Sequence, residues 1–131
     1  MRILILDGSR VLLELVRRLV PPGVVIESAT SFDQALLLLL ENPPDAIIAN
    51  VGPSDLRWKR IQDLCHEHQP PIPALFESCV FDSPAEAGFN DLDAWSHFLP
   101  KPYHAADLEH ELQRLLAAAE RVARSHRHID H

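Results

Sequence analysis

Four polar residues, each following a short apolar run, are the groups in this chain best placed to do chemistry. Asp7 follows Ile3-Leu4-Ile5-Leu6, Asn50 follows Ala46-Ile47-Ile48-Ala49, Ser78 follows Pro73-Ala74-Leu75-Phe76 and Glu77, and Lys101 follows the stretch Trp95 to Leu99 and Pro100. Together they supply one charge of each sign and two neutral hydrogen-bonding groups, enough for a salt bridge with a polar network around it. The histidines are less suggestive. His66 and His68 are two residues apart and do not share a helical face, so chelation is not expected; interaction with a helix terminus is the plainer reading. The histidines of Ser125-His126-Arg127-His128-Ile129-Asp130-His131 lack a thiolate or carboxylate cluster to fix a metal geometry, and no metal or other cofactor is expected.

The elements that must position these groups follow from the runs themselves. The three runs ahead of Asp7, Asn50 and Glu77 are too short for helices and read as strands buried on both faces; Val24-Val25-Ile26 and Trp95 to Leu99 add two more. Between them lie stretches of helical spacing. The first starts near Ser9, turns Val11, Leu12, Leu15, Val16 and Leu19 inward and stops at Pro21-Pro22-Gly23. Ser31 and Gln34 have capping-box spacing and open a second helix, which Asn42-Pro43-Pro44 closes; its five consecutive leucines do not distinguish a buried face. A third helix runs from Ser54 or Asp55 to His68. Ser83-Pro84-Ala85-Glu86 marks the start of a fourth, and Ala105 to Arg124 forms the fifth.

Strands alternating with helices imply an α/β fold with parallel strands joined by right-handed crossovers. In such an open sheet the chemistry gathers beyond the carboxyl ends of the strands, where Asp7, Asn50, Ser78 and Lys101 fall. Residues 1–120 make one domain and 121–131 a polar, His-rich C-terminal tail, of which Ser125 to His131 is expected to be disordered.

Composition narrows the function. The 131 residues carry 12 Lys and Arg against 19 Asp and Glu, a formal charge of −7 that repels nucleic acid and anionic lipid. No apolar run approaches the roughly 20 residues of a bilayer span, and the start of the chain lacks a secretory cleavage site, so a cytoplasmic location is expected. Cys65 and Cys79 are too few for a disulfide framework and read as ordinary thiols.

Residues 2 to about 117 resemble the receiver domain of two-component response regulators. Arg2-Ile3-Leu4-Ile5-Leu6-Asp7-Gly8-Ser9 is similar to that family's first strand and acidic pair, and Pro44-Asp45-Ala46-Ile47-Ile48-Ala49-Asn50-Val51 to the strand leading to its phosphorylated aspartate. Ser78 falls at its switch hydroxyl, Phe98 at its switch aromatic, and Lys101-Pro102 at its Lys-Pro pair, with spacings from Asp7 through Asn50 and Ser78 to Lys101 that match the family's layout. The resemblance implies a doubly wound, five-stranded parallel sheet of order 2-1-3-4-5 with five helices, the CheY-like form of the flavodoxin-like fold.

The departures from that pattern decide the functional expectation. Asn50 stands where the family has its phosphoacceptor, and an amide oxygen is neutral and a far poorer nucleophile than a carboxylate. Gly8 replaces the second acid of the magnesium-binding pair, so by this count only Asp7 remains of three expected carboxylates. Asp7 and Lys101 are expected to form a salt bridge or polar network with Asn50 and Ser78, making Asp7, Gly8, Asn50, Ser78 and Lys101 a vestigial phosphorylation pocket with no catalytic residue. Phe98, which lacks a hydroxyl, is expected to pack inward.

With the chemistry gone, the expectation is a phosphorylation-independent receiver that is not an enzyme and acts as an interaction module in signal transduction. It would bind a signalling protein or a second copy of itself through the fourth helix, fifth strand and fifth helix, a face that includes Phe89, Leu92, Trp95, His97 and Tyr103. Two alternatives are a small-ligand sensor using the vestigial acidic pocket and a receiver phosphorylated on another acid, Asp45 or Asp55.

Overall fold

The computed structural model describes residues 1–6, 10–50, 57–78, 96–100 and 104–129, with the backbone alone for 57, 58, 78, 100 and 126–129. Strands and helices alternate along it: β1 (Arg2–Leu6), α1 (Arg10–Leu19), β2 (Val25–Ala29), α2 (Phe32–Glu41), β3 (Ala46–Asn50) and α3 (Arg57–Glu67), then β4 (Ala74–Ser78), β5 (Ser96–Pro100) and the C-terminal helix α4 (Ala105–Ile129). The fourth helix expected from Ser83 onward lies outside the described residues. The strands form one parallel sheet in the order β2-β1-β3-β4-β5. The order therefore reverses between β1 and β3, and Asn50 ends the strand beside that switch point.

Period-two alternation gives the sheet two apolar faces. Ile3, Ile5, Ala46, Ile48, Leu75 and Leu99 pack against Leu12 and Val16 of α1 and Leu108, Leu112 and Leu115 of α4. Leu4, Ala29, Ile47, Ala49, Ala74 and Phe76 pack against Ala35 and Leu39 of α2 and Ile61 and Cys65 of α3. Each large side chain buried in this way contributes about 1.5–3 kcal/mol. The fold resolves the leucine run, because Leu39 is buried while Leu37 and Leu40 are 53% and 67% exposed.

The strands reach further toward the carboxyl edge than the apolar runs do. The backbone ladder continues through Glu27, Ser28 and Ala29 of β2, through Asn50 of β3 and through Ser78 of β4. Main-chain pairing is indifferent to side-chain polarity, so chemistry-bearing residues are held at the ends of rigid strands. At the start of α2, the Ser31 hydroxyl accepts the Gln34 N–H at 3.1 Å. The Gln34 side chain in turn accepts the Thr30 N–H at 3.0 Å, one residue earlier than a standard capping box.

The C-terminal helix departs from expectation. It continues unbroken to Ile129, so residues 125–129 extend the expected helix past Arg124 into the stretch expected to be disordered. No proline or glycine lies between Ala105 and Ile129 to stop it, and Val122 is 8% exposed, buried like the core residues before it.

Candidate functional site

Parallel register gathers the strand ends at one edge of the sheet. One row runs through Ala29, Leu6, Ala49, Phe76 and Phe98. The next row pairs Asn50 with Glu77 and Glu77 with Leu99, and the row beyond pairs Ser78 with Pro100. Asn50 and Ser78 thus stand on adjacent strands one residue out of step, with Asn50 exposed. Asp7 and Gly8, directly after β1 in the chain, and Lys101, directly after β5, lie outside the described residues, as does the salt bridge expected between Asp7 and Lys101.

The sequence reading passed over Glu77, which is 1% exposed. It sits beside Asn50 in register, about 5 Å away across the strands, on the same face as Leu75 and Leu99. A carboxylate inside a strand run is the signal that could have marked it, since burying one requires partners. This edge accordingly holds an acid beyond the count based on Asp7, Gly8 and Asn50.

Phe98 is partly buried and packs against the cluster containing Phe76, Ile61 and Cys65, on the side of α2 and α3. His97 points to the opposite face. At 7% exposure it lies beneath α4, which corrects its expected place as an exposed contact; strand alternation turns it inward with Leu75 and Leu99. Its Nδ1 is 3.9 Å from Glu111 Oε2, and Glu111 also receives a hydrogen bond of 3.2 Å from the guanidinium of Arg114. Glu111 is itself largely covered and Arg114 is exposed, whereas Phe89, Leu92, Trp95 and Tyr103 lie outside the described residues.

The other candidate residues fall elsewhere. Asp45 precedes β3 at the amino edge, where its Oδ2 accepts the Arg2 backbone N–H at 2.7 Å. That places it a strand length from Asn50, about 16 Å. Asp55 lies outside the described residues. His68 Nδ1 is 2.7 Å from the Pro70 carbonyl and donates to it, so its ring is fixed locally as well as being near the end of α3. Burial pushes the Cys65 thiol up to about 12. Cys79 lies outside the described residues.

Among the described residues no group of three or more His, Cys, Asp or Glu side chains could hold a metal ion. A magnesium ion of the kind the receiver resemblance implies does not fit the donors at positions 7, 8 and 50. There Asp7 is the one carboxylate, Gly8 has no side chain, and Asn50 offers a neutral amide. No helix among the described residues is long and apolar enough to cross a membrane.

A five-stranded parallel sheet of order 2-1-3-4-5, layered by helices on both faces, is the architecture of the CheY-like class. No protein-family model and no curated protein sequence matches the chain. Solved structures do. The signal receiver domain of an HD domain-containing protein from Pseudomonas fluorescens Pf-5 is 21% identical, with a TM-score of 0.69 over 91% of this chain and 96% of that one. A chemotaxis response regulator of Vibrio cholerae is 20% identical, with a TM-score of 0.64 over 87% and 97%. The receiver domain of a sensor histidine kinase from Pseudomonas aeruginosa PAO1, which has a magnesium ion in its active-site cleft, is 20% identical, with a TM-score of 0.66 over 88% and 97%. The fold of this chain is therefore that of the response regulator receiver domains.

Proposed function

We propose that the chain is an atypical receiver that works without phosphorylation, as a protein-interaction module in signal transduction. The observation that carries this reading is Asn50, exposed at the carboxyl end of β3 beside the topological switch point, where a receiver needs a carboxylate. Forming an acyl phosphate requires a carboxylate oxygen to attack phosphorus and displace the donor's leaving group. The carboxamide has no anionic oxygen to do so. Gly8 removes a ligand for the cation that would neutralise the developing charge, so the two losses reinforce each other.

With group transfer absent, the output of the fold is contact. The fifth strand and the C-terminal helix provide the surface, together with the expected contact residues Phe89, Leu92, Trp95 and Tyr103, and the partner is a signalling protein or a second copy of the chain. Asp45 does not substitute for the acceptor, because it lies at the opposite edge and is engaged by the Arg2 backbone. The test is incubation with acetyl phosphate and Mg²⁺ followed by intact mass measurement. The unmodified mass is expected, and a labile adduct of about 80 Da overturns the reading.

A further inference from the structure

At the amino edge of the sheet, opposite the candidate site, a pocket of about 680 Å³ opens between α4 and the loops that lead into β3 and β4. Its volume falls in the range of about 300–1,000 Å³ typical of small-molecule sites. Pro43, Pro44, Pro70 and Pro71 form stiff walls, and Ile72 and Val122 contribute buried apolar surface. The wall on the α4 side is the stretch Ala119 to Arg124, within the part of the helix that the sequence pattern marks.

The polar groups around this apolar interior are few and of both signs. Glu120 and Arg124 both line the pocket from α4, one helical turn or about 6 Å apart along the axis. Neither makes an ion pair or side-chain hydrogen bond among the described residues, although i,i+4 spacing would allow them to pair. Asp45 adds a second carboxylate, and the Met1 end of the chain also lines the wall. His68 has its Nδ1 committed to the Pro70 carbonyl, so in the neutral ring Nε2 is left as an acceptor.

We infer that this pocket is a binding site for a small zwitterion with a bulky apolar side chain, of the α-amino-acid class. The ammonium is taken by Glu120, the carboxylate by Arg124, and the apolar body by the proline-walled interior. A ligand of either charge alone engages only one of these two exposed helix side chains, and a protein segment bound by one terminus does the same, whereas a zwitterion engages both. The inference is independent of the phosphorylation chemistry at the other edge.

The probe is L-tryptophan, titrated into the full chain and followed through backbone amide shifts in NMR. Tryptamine, which lacks the carboxylate, and indole-3-propionic acid, which lacks the ammonium, serve as matched comparisons. Saturable shifts at residues 43–45, 68–72 and 119–124 are expected, with a Kd of about 1 mM or tighter. Tryptamine and indole-3-propionic acid should each bind about threefold to fivefold more weakly, the scale of one exposed charged contact. Arg124→Gln should abolish the advantage of tryptophan over tryptamine, and Glu120→Gln its advantage over the acid. Both substitutions are at exposed positions, so the variants are expected to fold. Absence of saturable shifts at these residues overturns the site. Equal binding of all three probes, or binding unchanged in both variants, overturns the zwitterion assignment.

Discussion

The two edges of this sheet handle polar groups in opposite ways. At the amino edge, charges hold the fold together. The Arg2 guanidinium ion-pairs with Glu27 of β2 at 2.5 Å, donates to the Asn42 side chain at 3.1 Å and also donates to the Asn42 carbonyl at the end of α2. The Arg2 backbone N–H is received by Asp45, so one residue ties β1 to β2, to the C-cap of α2 and to the start of β3. At the carboxyl edge, where α/β folds place their chemistry, the exposed amide of Asn50 ends β3 next to the buried carboxylate of Glu77. On the proposed function, the contrast means that the scaffold of a receiver and its reaction are separable. The apolar rows and the amino-edge network position the strands without calling on the residues that would accept phosphorus.

Substitutions can break that separation, beginning with the apolar row on which both edges depend. Phe76, fully buried between Ala49 and Phe98 in register, should cost about 3–5 kcal/mol when replaced by Ala, read as a lowered midpoint in urea unfolding. Arg2→Ala should cost about 1–3 kcal/mol, because it leaves Glu27 and the α2 C-cap without their partner; a loss below the error of the same measurement would remove the amino-edge network from the account.

A pH test separates the buried end of α3 from the solvated charges of the amino edge. Cys65, near the end of α3, is protonated in the folded state up to about 12, against an ordinary value of 9.0. Between those values the unfolded chain holds fewer protons than the folded one, so the stabilising contribution is complete below pH 9 and is lost as pH rises toward 12. The loss amounts to about 1.4 kcal/mol per pH unit within that window, and it should disappear from the stability profile of Cys65→Ala. The smallest effect is expected at the other edge. Asn50→Asp should shift stability by less than about 1 kcal/mol, since the side chain is exposed, and a larger loss would tie the carboxyl edge to the fold after all.

Much of this contrast was legible in the sequence, and the exceptions have physical causes. The strands are announced by Ile3-Leu4-Ile5-Leu6 and Ala46-Ile47-Ile48-Ala49, and α2 by the Ser31 cap, because burial on both faces and capping leave local marks. Strand ends do not. Asn50 and Ser78 belong to their strands through backbone pairing with distant residues, which no local pattern encodes. His97 and Glu77 were hard to place for a related reason. Polarity alone gives no sign of their burial, and strand alternation places them inward, His97 beneath α4 and Glu77 beside Leu99. The extension of α4 from Ser125 to Ile129 is masked by the polar composition of Ser125 to His131, although nothing from Ser125 to Ile129 breaks a helix.

The central claim is that the carboxyl edge lacks the phosphoryl chemistry of its fold because Asn50 and Gly8 have replaced carboxylates. The most direct test treats the natural chain and the Gly8→Asp, Asn50→Asp double variant side by side with acetyl phosphate and Mg²⁺, then measures intact mass. The account predicts no change in the natural chain and a labile gain of about 80 Da in the double variant. An adduct of that size on the natural chain would contradict it.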